Sequence, residues 1–204
     1  KVTRSVRPFP LVFPQALLAQ TFPRPRLRIS FLASHADLSS MIRQLELPIN
    51  LVPLDISLNP SWDFSDAAVV NQHLLDLKAG LYQAVIYDPP RRTFAGAVGD
   101  HSKIQLRGVT GKERYGTGGL DSGDRERVRK NTLIVSAVAQ SLAVHLQLRI
   151  PFIILTHTST EPSKISLFDL DEFTPILNHK FVRQFKLDGC MFGGRTAQRF
   201  TMLT

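Results

Sequence analysis

Tyr82-Gln83-Ala84-Val85-Ile86-Tyr87-Asp88-Pro89-Pro90 is the stretch that decides the fold. Tyr82–Tyr87 is a short apolar run rich in β-branched and aromatic side chains, which predicts a buried strand. It runs directly into Asp88 and two prolines, which lack the N–H needed to extend a sheet ladder and so end the strand in a turn. On the amino-terminal side, Ser65–Ala79 has helical spacing, with Ser65 as N-cap and Gly80 just past the end. Before it, Leu27–Ala33 and Asn50–Leu54 read as strands, the second ending at Asp55, and Asp37–Leu47 as a helix between them. On the carboxyl side, Gly123-Asp124 opens a long helix to about Leu148, apolar at Val128, Leu133, Val135, Val138, Leu142 and Leu146. Pro151–Leu155 is the next strand, Leu167–Leu177 a helix, Phe181–Leu187 a strand and Phe200–Leu203 a last one.

Short buried strands alternating with helices predict an α/β fold: a Rossmann-like, doubly wound, mostly parallel sheet with helices on both faces. The expected organisation is an extended basic, proline-rich arm over 1–26 and one domain over 27–204, with a long basic loop at 91–123. In such a sheet, ligands bind beyond the carboxyl ends of the strands. Those ends are Ala33-Ser34-His35, Asp55, Asp88-Pro89-Pro90, Thr156-His157-Thr158 and Gly189-Cys190.

Composition narrows the chemistry. The 204 residues contain one cysteine, Cys190, which excludes an internal disulfide and a cysteine-rich zinc site; no metal is expected. No run of about 18 apolar residues predicts a membrane span, so the expected setting is intracellular and reducing, with mitochondrion and nucleus both open. The net charge of +8 favours polyanionic partners, DNA, RNA or a nucleoprotein. Lys1, Arg4, Arg7, Arg24, Arg26 and Arg28 stand in an acid-free start whose prolines argue against the amphipathic helix of a transit peptide. Residues 91–130 hold ten basic residues against five acidic ones. Gly116-Thr117-Gly118-Gly119 lacks the preceding strand and the following Lys-Ser/Thr of a phosphate loop.

Three segments, Tyr87-Asp88-Pro89-Pro90-Arg91-Arg92-Thr93-Phe94, Asn131 in the long helix, and Asp188-Gly189-Cys190-Met191-Phe192-Gly193 with Gln198-Arg199, carry a resemblance. Together with the strand–helix opening and Asp55, they resemble class I S-adenosylmethionine-dependent methyltransferases. The resemblance is closest to the cytosine-C5 DNA methyltransferases and to methyltransferase-like domains of protist retroelements, and covers about 27–204. It implies cofactor contacts at Phe31, Ala33 and Asp55, with Asp55 on the ribose. It also implies nucleic-acid contacts after the Pro-Pro turn, at Arg91, Arg92, Lys103, Arg107, Lys112 and Arg114, and at Lys186, Arg195 and Arg199 near the end.

The chain departs from that family where the chemistry is done. Arg91 stands where the family has its nucleophilic cysteine, and a guanidinium is always protonated and has no lone pair to attack with. Leu155-Thr156-His157-Thr158 replaces the strand end that carries the ring-contacting glutamate, and Phe31–Asp37 contains no glycine for close approach of a cofactor. The expected function is therefore a non-catalytic, methyltransferase-like, nucleic-acid-binding or ribonucleoprotein scaffold domain, with no cofactor. The first alternative is an active methyltransferase on an exocyclic amine, using S-adenosylmethionine with Asp88, Pro89 and Pro90 at the reacting amine and His157 as an acid or base. The second is a protein–protein adaptor using Phe9, Phe13 and Phe22 of the arm.

Overall fold

The computed structural model describes residues 27–32, 49–54, 56, 59–90, 93–94, 105–157, 165–188 and 199–203. The arm and the expected helix at Asp37–Leu47 lie outside them. The described chain is of the α/β class, with helices and one six-stranded sheet. Its strands are β1 (Leu27–Leu32), β2 (Ile49–Pro53), β3 (Ala84–Tyr87), β4 (Phe152–His157), β5 (Gln184–Asp188) and β6 (Arg199–Leu203). Their order across the sheet is β2-β1-β3-β4-β6-β5. β1 pairs parallel with β2 and β3, and β3 with β4. β6 runs antiparallel to both β4 and β5, so β5 points the same way as β4. Residues 189–198 join β5 to β6, fewer than the dozen or so that a parallel crossover takes, and the chain returns antiparallel.

Helix α1 (Ala67–Lys78) is capped by Asp66, whose carboxylate accepts from the Ala68 N–H at 2.8 Å. Ser65, the expected cap, instead donates its hydroxyl to Asp63 at 2.6 Å. Asp wins the position because its side chain reaches the second helical N–H and complements the positive helix end. Gly80 follows with φ +70, a left-handed conformation that glycine adopts without strain.

Helix α2 (Ser122–Leu148) is the spine of the molecule. Its buried face runs through Val128, Asn131, Val135, Val138, Leu142 and His145, the three- and four-residue steps of one helical stripe. By length and composition α2 is apolar enough to cross a membrane, but that stripe is packed inside the protein. Leu133, expected on the buried face, is exposed, and Leu146 is half-buried. Asn131 and His145 take their place in the stripe because each finds a hydrogen-bond partner inside.

Two expectations are corrected. Leu167–Leu177 is not one helix but two 3₁₀ turns, Leu167–Asp169 and Asp171–Phe173, followed by a single turn α3 (Thr174–Leu177). Ser166 and Asp169 close a capping box on the first turn, and Leu170, extended at ψ 144, breaks the path while its side chain enters the core. The loop expected over 91–123 is in part a packed structure: Gly111–Tyr115 forms a 3₁₀ helix, and Leu106 and Leu120 bury against Val128 of α2. Gly108 is required there by close approach, since a Cβ would meet the Glu113 Cβ at 2.6 Å.

Candidate functional site

The parallel pairing of β1 to β4 brings their carboxyl ends to one edge of the sheet. Leu32 pairs with Tyr87 and Tyr87 with Ile154, so the turn Asp88-Pro89-Pro90 starts beside the end of β1. The strand order reverses between β1 and β3, with β2 on one side and β3 on the other, and a crevice for ligands opens at such a reversal. Pro89 is buried, and Asp88 and Pro90 are half-buried. Phe31 lies in β1 between Pro53 and Ile86, and His157 ends β4 opposite Phe200. Ala33, Asp55, Arg91, Arg92, Lys103 and Arg195 lie outside the described residues.

Just after the turn, the chain is tied to α2 by a buried polar knot. Thr93 and Phe94 are buried, and Arg107 is 2% exposed. The Arg107 guanidinium lies 4.2 Å from the centre of the Phe94 ring. Its Nε donates to the Thr93 hydroxyl at 3.0 Å and its Nη1 to the Arg114 carbonyl at 2.8 Å. Nη2 donates to the Val128 carbonyl at 3.1 Å and the Thr132 hydroxyl at 2.9 Å. Asn131 Nδ2 donates to the same Thr93 oxygen at 3.1 Å. Burial pushes the Arg107 pKa down to about 10, against the attraction of Glu172, and the side chain stays cationic at neutral pH. The expectation that Arg107 faces nucleic acid is corrected: four of its hydrogen bonds are made inside the protein.

Other cations of this region are also engaged. Arg114 donates to the carbonyls of Val109 and Asp169 and pairs with Asp171 at 3.2 Å, stitching the 3₁₀ helix to the segment before α3. Arg125 donates to the Leu120 carbonyl, Arg127 pairs with Asp124, Arg129 with Glu126, and Lys130 with Asp63. Lys112 is exposed. Arg199 opens β6 opposite Asp188.

A second buried polar chain, not anticipated from sequence, ends at Tyr87. His73 of α1, Tyr87 of β3 and His145 of α2 are each 3% exposed or less. The Tyr87 hydroxyl lies 3.1 Å from His73 Nε2 and 3.0 Å from His145 Nε2, and His145 Nδ1 lies 3.1 Å from the Ile150 carbonyl. A carbonyl only accepts, so His145 carries its proton on Nδ1, its Nε2 accepts from the Tyr87 hydroxyl, and that oxygen accepts from His73 Nε2–H. His73 Nδ1 is left bare and without a partner among the described residues. Burial, above all, lowers both histidines to about 4 and raises Tyr87, so all three are neutral near pH 7. The only sequence signal was spacing: His145 falls on the helical stripe of α2, and His73 sits three residues after Val70 and four before Leu77 on α1.

Compared with family models, curated proteins and solved structures, the chain matches none.

Proposed function

We propose that this chain is a methyltransferase-like domain that binds nucleic acid and does not transfer methyl groups. The observation that carries the reading is the position of Asp88-Pro89-Pro90, at the reversal of strand order and beside the end of β1. The strand order adds support. Four parallel strands, β1 to β4, support the mostly parallel sheet that the sequence resemblance implies; the reversed strand β6 inside the edge strand β5 is an addition to what that resemblance implies. Loss of catalysis is argued from residue identity: Arg91 in the nucleophile's place and a glycine-free segment at 31–37. Binding is argued from charge, +8 over the chain.

The alternative of an active amine methyltransferase keeps one observation in its favour, a half-buried Asp88 at the strand-order reversal. Calorimetric titration of the full chain with S-adenosylmethionine and S-adenosylhomocysteine separates the two. The proposal expects no heat at millimolar ligand; micromolar binding would transfer the reading to the enzyme. In parallel, the Arg91→Ala/Arg92→Ala double variant should bind single-stranded RNA or DNA more weakly, with a shallower salt dependence. Affinity and salt slope equal to the parent chain's would overturn the nucleic-acid reading.

A further inference from the structure

Four cations remain exposed at the carboxyl end of α2 and along residues 180–186. Arg149, Lys180, Arg183 and Lys186 are exposed, and none forms an ion pair with a described residue. Two large aromatic side chains of the same 180–186 stretch are also exposed: Phe181 is 58% exposed and Phe185 45% exposed. Phe185 and Lys186 lie on β5, the outermost strand of the sheet. Phe181 and Arg149 line a groove of about 370 Å³ whose other walls are His145, Leu146, Ile150, Pro151 and Phe152. This groove sits where β4 begins, at the opposite edge of the sheet from Asp88.

Exposed phenyl rings are costly in water and serve best where a flat apolar partner covers them. Lys180 lies 5.0 Å from the Phe181 ring and Arg183 is braced by its own bonds to the Lys180 and Val182 carbonyls, so cationic charge is held next to the rings. Unpaired nucleobases, each a π-face carried on a phosphate backbone, satisfy both features at once; a duplex hides its faces and satisfies only the charge. We infer that the β5 edge and the Phe181–Arg149 groove form a stacking surface for single-stranded nucleic acid. Phe181 and Phe185 take bases, and Lys180, Arg183 and Arg149 track the phosphates; Lys186, next to Phe185 on β5, points to the opposite face of the sheet. The inference rests on the nucleic-acid reading above but uses a surface separate from the turn at Asp88.

The test is fluorescence anisotropy of the full chain with a labelled oligothymidylate of about twenty nucleotides, a duplex of the same length, and polyglutamate as competitor. Phe181→Ala/Phe185→Ala should weaken the single strand about tenfold or more while leaving duplex affinity and the salt slope alone, since a phenyl ring releases no counterions. Phe181→Tyr should retain the parent affinity. Lys180→Gln/Arg183→Gln should lower the salt slope by about 1.4, at roughly 0.7 for each phosphate no longer neutralised. Because both rings are exposed, the alanine variants should melt like the parent, which thermal unfolding checks. Single-strand affinity within twofold of the parent in the double alanine variant would overturn the inference, as would polyglutamate competing as well as the oligonucleotide. If that variant binds normally while Arg91→Ala/Arg92→Ala binds weakly, this surface alone is refuted. If the parent chain binds no nucleic acid, both readings fall.

Discussion

Arg107 carries a charge into the interior and gives it no carboxylate to bond directly. What holds it are two carbonyls, two threonine hydroxyls and the Phe94 face, a set that only a planar, multi-donor cation can satisfy together. Removing it takes four hydrogen bonds away at once, and although Thr93 still accepts from Asn131 and the Val128 carbonyl from Thr132, the Arg114 carbonyl loses this donor. Arg107→Met should therefore destabilise the protein by about 3 kcal/mol, read as a lower urea midpoint. Arg107→Lys should recover little, because one ammonium cannot span four acceptors arranged around a fork. Recovery to within about 0.5 kcal/mol of the parent by Lys would mean that charge, not geometry, holds the knot. In sequence this arginine is indistinguishable from Lys103 or Lys112, its basic neighbours in a glycine-rich stretch; only the arrival of Thr93, Val128 and Thr132 around it marks it as internal.

At the scale of elements, α2 shows why some parts of the fold were readable and others not. Its stripe of buried positions follows from periodicity, as the apolar strands β3 and β4 follow from unbroken runs of Val, Ile and aromatic residues. Its end is less orthodox. The helix closes at Arg149 in the left-handed region, φ 57, where glycine is the usual occupant. A Cβ there costs about 1 kcal/mol, and Arg149→Gly should raise stability by about 0.5–1 kcal/mol, measured by chemical denaturation, while weakening single-strand binding. A drop in stability would show that Arg149 makes contacts that outweigh its backbone strain. The segment 167–177 misled because its apolar spacing is helical, yet Leu170 turns outward from helical geometry to bury its side chain.

For the whole molecule, the His73–Tyr87–His145 chain couples both helices to the central strand and makes stability depend on pH. Both imidazoles are neutral in the fold, with pKa values lowered to about 4, and each binds a proton in the unfolded chain near pH 6.5. Between those limits the unfolded state holds more protons, so stability rises with pH and is lost as pH falls from about 6.5 toward 4. The urea midpoint should fall steeply over that window, by up to about two protons' worth of slope, and flatten above pH 7. His73→Gln should remove about half of the slope. A midpoint constant from pH 7 to 4.5 would show that the histidines are not buried neutral.

The amino-acid sequence by itself determined the strands β3 and β4, the long helix α2, the break at Asp88-Pro89-Pro90 and the excess of positive charge. These are local or additive properties: periodicity, missing N–H groups and a sum of side-chain charges. Tertiary structure alone decided which charges face water. The packing brings Thr93 and α2 around Arg107, pairs Lys130 with Asp63, and leaves Arg149, Lys180, Arg183 and Lys186 exposed, with Phe181 and Phe185 exposed as well. It also closed the two histidines onto Tyr87 from helices far apart in sequence. A charge or a ring has the same identity in either place; its surroundings, set by contacts between distant segments, determine whether it is a strut or a surface.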